Sequence, residues 1–153
     1  MIAVDRTELI GTVIDRVSFP VEEGKIRELA MAIGDENPVY RKREAALAAG
    51  HPAIPAPPTF VVVAGHWRDQ SAMVATLGLD ITRVVVGETG WEYRRPIYAG
   101  DQLTAERVVE SVTERPGRRG GTMTLITIVA EFRNQDGEVT VCQRDTVIET
   151  GAG

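Results

Sequence analysis

Residues 123–149 read MTLITIVAEFRNQDGEVTVCQRDTVIE. Two runs rich in Val, Ile and Thr flank Asn134-Gln135-Asp136-Gly137. β-branched side chains suit a pleated, half-buried surface. Asp-Gly between two such runs is a hairpin signal. Met123–Phe132 and Val139–Glu149 are therefore expected as neighbouring antiparallel strands. Working upstream, the Pro- and Gly-rich segment Arg115 to Gly121 separates them from a third run, Leu103–Val112. Ala99-Gly100-Asp101 sets off an aromatic, extended stretch, Gly90–Ile97, and Thr82–Val86 is β-branched before that. The second half of the chain is an antiparallel meander on this reading.

The first half has a different period. Ile26, Leu29, Ala30 and Ile33 fall at i, i+3, i+4 and i+7, which is one face of a helix over 21–33. Gly34 follows it as a stop signal. A second, short helix fits Glu44 to Ala49 and closes at Gly50. Pro52, Pro55, Pro57 and Pro58 then exclude both a helix and a central strand, so an ordered loop is expected there. From Thr59 to Leu77 the chain is apolar, and a buried helix is expected, with Pro58 tolerated in its first turn. Helices first and strands afterwards mean an α+β fold, with one apolar helix packed on one face of a sheet. The whole chain, 1–153, reads as a single domain.

Composition sets outer limits. With 43% apolar and 25% charged residues, disorder and fibrous classes are excluded. The net charge of -5 argues against a nucleic-acid partner. One cysteine, Cys142, excludes an internal disulfide and thiol-rich zinc sites. The two histidines, His51 and His66, lack the clustered carboxylates of a metal site; no metal and no cofactor is expected. No apolar run approaches the roughly 18 residues of a membrane span, and the N-terminus has no signal-peptide pattern. A cytoplasmic location is the expectation.

The stretch 34–60 carries the chemistry. It holds Gly34-Asp35-Glu36-Asn37-Pro38-Val39-Tyr40, a charged helix, and then His51-Pro52-Ala53-Ile54-Pro55-Ala56-Pro57-Pro58-Thr59-Phe60. A second informative stretch is Tyr93-Arg94-Arg95-Pro96-Ile97-Tyr98-Ala99-Gly100-Asp101-Gln102-Leu103. Over nearly its whole length the chain resembles the MaoC-like hotdog family of (R)-specific enoyl-thioester hydratases and 3-hydroxyacyl-thioester dehydratases. Within that family it is similar to the FAS1-like dehydratase N-terminal type, which includes the A-type subunits of mycobacterial hydroxyacyl-carrier-protein dehydratases. The resemblance implies a hotdog fold, an antiparallel sheet wrapped around one central apolar helix.

The resemblance also implies a mechanism. In the pattern Gly-Asp-x-Asn-Pro-x-His, the aspartate and histidine hold one water over the enoyl double bond and exchange its proton with the α-carbon. A backbone N–H at the start of the central helix binds the thioester oxygen, where enolate charge develops. Carried over, the catalytic positions are Asp35, Asn37 and Tyr40. Tyr40 stands where the family has histidine, and tyrosine is a poor base at neutral pH. Pro58 stands, without a gap, where the family has the oxyanion glycine, and proline has no N–H. Two departures together imply a degenerate site. His51, Pro57, Pro58, Thr59 and Phe60 are the expected substrate-binding residues around it. Arg118 and Arg119 are the expected contacts to the phosphates of the carrier arm.

Each of these residues also has a plainer role. Asp35 suits a turn closing on its own backbone; Asn37 and Pro38 suit loop architecture. His66 reads as a packed helical histidine, and Trp91, Tyr93 and Tyr98 as strand aromatics in a core or interface. Asp101 reads as a turn residue. Two functions follow. One is a dehydratase or hydratase subunit acting on acyl-CoA or acyl-carrier-protein (acyl-ACP) thioesters, pairing as a homodimer or as a heterodimer with a catalytic hotdog subunit. In a variant of it the chain is active alone, with Asp35 as base and a water or His51 standing in. The other is a non-enzymatic protein that binds acyl thioesters.

Overall fold

The computed structural model describes residues 6–117 and 120–151. Five strands form one antiparallel sheet in the order β1-β3-β4-β5-β2. They are β1 (Val13–Pro20), β2 (Val84–Tyr93), β3 (Gln102–Pro116), β4 (Thr122–Arg133) and β5 (Val139–Glu149). The Asp136-Gly137 turn joins β4 to β5, and Gly137 takes a φ of 78° there. Helix α1 (Glu23–Ala32) buries Ile26 and Ala30. Helix α2 (Arg43–Ala48) follows.

Two expectations change. The chain has a strand before α1. In β1 the inward residues Val17 and Phe19 are buried while Arg16 and Ser18 are exposed, a period-2 alternation that leads into Pro20. The stretches Thr82–Val86 and Gly90–Ile97 are also not two strands. β2 runs through Gly87, where the register to β5 shifts. A Cβ on Gly87 would lie 2.5 Å from Ile148 Cδ1, so a side chain at this bulge would have to displace Ile148. β2 ends at Tyr93 because the N–H groups of Arg94 and Arg95 both donate to the Thr140 carbonyl.

The central apolar segment is broken. Phe60–Trp67 is a 3-10 helix that buries Phe60, Val61, Val63 and Ala64, and α3 (Gln70–Thr76) is a separate helix. The break has a side-chain cause. Asp69 accepts the Ala72 N–H at 3.0 Å and so starts α3. Arg68 turns inward, over the Phe132 ring and 3.6 Å from Asp15. Arg68 thereby joins a polar row that divides the core. On one side lie Phe19, Ile26, Phe60, Leu103, Phe132 and Val141; on the other lie Leu77, Leu79, Val109, Ile126, Ile128 and Val147. Between them sits Arg107, which donates to Asp15 through Nε and Nη2 and to Gln70 through Nη1.

A second buried charge ties β5 to the N-terminal turn. Glu149 accepts from Arg6 Nη1 at 2.5 Å, from the Asp80 N–H at 2.7 Å and from Arg83 Nη2 at 3.4 Å. Burial disfavours its charge, but these donors outweigh it and hold the carboxyl below the ordinary 4.5. A depressed carboxylate stabilises the fold above its unfolded value and loses that contribution as pH falls through its folded one. Glu149→Gln is therefore expected to flatten the loss of stability on acidification below about pH 4.5 and to cost about 1–3 kcal/mol at neutral pH. Urea midpoints between pH 3 and pH 7 check both.

Candidate functional site

Three of the expected residues come together on one loop. The Asp35 N–H donates to the Ala30 carbonyl at 2.8 Å, where α1 ends and Gly34 turns at φ 71°. Asp35 Oδ1 accepts the Asn37 N–H at 2.9 Å, and Asn37 Oδ1 accepts the Val39 N–H at 3.1 Å. Two successive Asx turns thus shape the loop, and Pro38 opens the short 3-10 turn that ends at Tyr40. Arg41 Nη2 donates to the Asp35 carbonyl at 2.7 Å and locks the loop from behind.

Tyr40 is half-buried against the larger core cluster. Burial, and then the charge of Asp35, push its phenol above the ordinary 10. At neutral pH the Tyr40 hydroxyl is protonated, so it can donate a hydrogen bond but cannot take a proton. The loop thus holds two Asx turns and, at its end, a protonated phenol.

His51 makes no hydrogen bond to them. Its Nδ1 lies 3.4 Å from the Tyr98 hydroxyl, with ring centroids 5.9 Å apart. The loop 52–58 is strapped to the segment after β2: the Ala56 N–H donates to the Ile97 carbonyl and the Ala99 N–H to the Ile54 carbonyl, each at 2.8 Å. Asp101 is a turn residue, accepting the Tyr98 N–H at 2.9 Å.

Along this strap lies a cleft of about 310 Å³. Pro57, Pro58 and Phe60 line it, as expected of substrate-binding residues, together with Val61, Ile97 and Val141. Asp35, Asn37, Tyr40 and His51 are not in its wall. Three residues that sequence reasoning gave no binding role are: Tyr93, Arg94 and Arg95. The two arginines pair with Glu92 and Glu138 at 2.8 and 2.9 Å across exposed surface. Two consecutive arginines after a strand were the available signal. Arg118 and Arg119 lie outside the described residues.

Thr59 opens the central segment with φ 69°, the one non-glycine residue with positive φ among those described. Its N–H donates to the Tyr93 hydroxyl at 2.8 Å. The first amide after the two prolines is therefore a donor, and it points at the β2 terminus. Among the described residues no group of three His, Cys, Asp or Glu could hold a metal ion, and no helix is long and apolar enough to cross a membrane.

The family described as the FAS1-like, dehydratase domain region matches residues 8–143. A UPF0336 protein of Streptomyces coelicolor is 41% identical over 121 residues, covering 78% of this chain and 77% of that protein. Among solved structures, the truncated HadBC (3R-hydroxyacyl-ACP dehydratase) complex of Mycobacterium tuberculosis is 27% identical, with a TM-score of 0.72 over 94% of this chain and 98% of that chain. A MaoC-like dehydratase is 25% identical with a TM-score of 0.80; it covers 96% of this chain, which spans 44% of that one.

Proposed function

We propose, from the premise that this chain belongs to the family of FAS1-like dehydratase domains, that it is the supporting half of a (R)-3-hydroxyacyl-thioester dehydratase or enoyl-thioester hydratase. Its fold is the hotdog of the MaoC-like dehydratases. The observation that carries the reading is Tyr40. The Asp35–Tyr40 loop keeps its turns and its position at the end of α1, yet the residue in the histidine position is a half-buried phenol held above its ordinary range. Asp35 spends one carboxylate oxygen on the Asn37 amide and serves the loop. A partner chain carrying the intact aspartate and histidine supplies the proton transfers.

The edge of the sheet supports a pairing role. β2 is an outer strand of ten residues, and Val85 and Val86 are exposed on it. An open strand edge is a template for continuing the sheet into a second chain. The cleft beside the end of β2 would then lie near that junction, with apolar walls for an acyl chain and Arg94 and Arg95 for the phosphates of coenzyme A or a carrier-protein arm. Their existing partners, Glu92 and Glu138, are exposed ion pairs of small worth, so exchange for phosphate costs little.

Butyryl-CoA titrated into the chain by calorimetry tests this. Saturable binding is expected, weakened roughly tenfold in Arg94→Glu/Arg95→Glu, the size of a lost charge-assisted contact. Butyryl-pantetheine, which has no phosphates, is expected to bind the wild type and this variant alike. An equal loss for both thioesters would remove the arginines from carrier recognition.

A further inference from the structure

We infer that the Tyr93 hydroxyl is the donor that holds the thioester carbonyl oxygen in this chain's cleft, with the Thr59 N–H standing behind it. The inference rests on the reading under Proposed function and adds a residue to it. Pro57 and Pro58 carry no N–H, so the first backbone donor at the head of the central segment is Thr59. That amide is already committed: it donates to Tyr93 Oη at 2.8 Å. A phenol has one O–H donor and acceptor lone pairs besides. With a lone pair engaged by Thr59, the proton of Tyr93 remains to be donated, and among the described residues nothing accepts it.

The surroundings say what acceptor would fit. Tyr93 is half exposed and lines the cleft with Pro58, Phe60 and Ile97. A hydroxyl on an apolar wall, below two arginines, suits a neutral carbonyl carried on an anionic arm better than a free anion. Thr59 is held at φ 69°, a conformation that costs a β-branched residue free energy and persists where the surroundings impose it. Here it aims the N–H at the phenol oxygen. Donation into the phenol polarises its O–H, because hydrogen bonds in a chain reinforce one another. The order is Thr59 N–H to Tyr93 oxygen, then Tyr93 O–H to the carbonyl oxygen. No bond breaks in this arrangement; the proton stays on Tyr93 while charge grows on the carbonyl.

The test is infrared spectroscopy of butyryl-CoA labelled with ¹³C at the thioester carbonyl, bound to the full chain. The saturated acyl group cannot be hydrated, so the readout is independent of turnover. The bound carbonyl stretch is expected at lower frequency in the wild type than in Tyr93→Phe, and the variant is expected to bind about fivefold more weakly. Circular dichroism and the thermal midpoint establish that the variant is folded, which its half-exposed position favours. Binding with the same carbonyl frequency in both proteins overturns the assignment of Tyr93 and leaves the thioester reading intact. No binding to the wild type overturns that reading and this inference together.

Discussion

Asp15→Asn is expected to destabilise the fold by about 3–5 kcal/mol, the cost of stranding buried charge. Asp15 faces two arginines. Arg107 grips it through two nitrogens, and Arg68 lies 3.6 Å away. Both guanidiniums are almost wholly buried, at 7% and 6% side-chain exposure. Burial, and then the charge of Arg107, already push Arg68 down to about 10, with Asp15 working against them. Removing the Asp15 charge leaves two cations in the core beside the nearby Asp145 alone. Arg107→Met removes one of the competing cations instead and lets Arg68 close on Asp15. It is expected to cost less, roughly half as much. Urea unfolding of the two variants at one fixed protein concentration measures the difference, since any assembly makes stability concentration-dependent. Equal costs would mean that Arg68 and Arg107 do not share Asp15.

The second large effect is on rate. In an assembly with a catalytic partner, Asp35→Asn in this chain is expected to leave turnover within about twofold, while loss of the partner's motif aspartate removes a general acid/base worth about 10²–10⁴-fold. Asparagine keeps a side-chain oxygen for the Asn37 N–H, so the loop survives the change. Steady-state hydration of a trans-2-enoyl-CoA reads both variants. Loss of most turnover on Asp35→Asn would make Asp35 a base, with water or His51 completing the site.

Local patterns made most of the frame legible. The hairpin at Asp136-Gly137, the face of α1 and the stop at Gly34 are signals within one turn or one strand pair, and the structure repeats them. β1 escaped because its alternation includes Asp15, whose reason for pointing inward is Arg107, 92 residues away. The unbroken central helix failed for a related reason. The apolar run gives no sign that Arg68 is drawn into the core or that Asp69 caps a new helix. At the site, the Asp35–Tyr40 loop was readable because its contacts span two to six residues. Tyr93 was read as a packing aromatic. Its partner Thr59 lies 34 residues away, and no spacing rule joins a strand-end phenol to a helix-head amide. The adjacency of Arg94 and Arg95 after a strand is a signal that does not by itself separate ligand contacts from solvated charge; the cleft between them and Pro57 exists only in the fold.

On this reading the chain shapes a thioester site whose acid and base come from another chain. The direct measurement is hydration of trans-2-butenoyl-CoA by the purified chain, alone and after mixing with a hotdog chain that carries the intact Gly-Asp-x-Asn-Pro-x-His motif. No turnover is expected alone, and turnover in the mixture is expected above that of the added chain by itself. Robust turnover by this chain alone, abolished by Asp35→Asn, would contradict that reading.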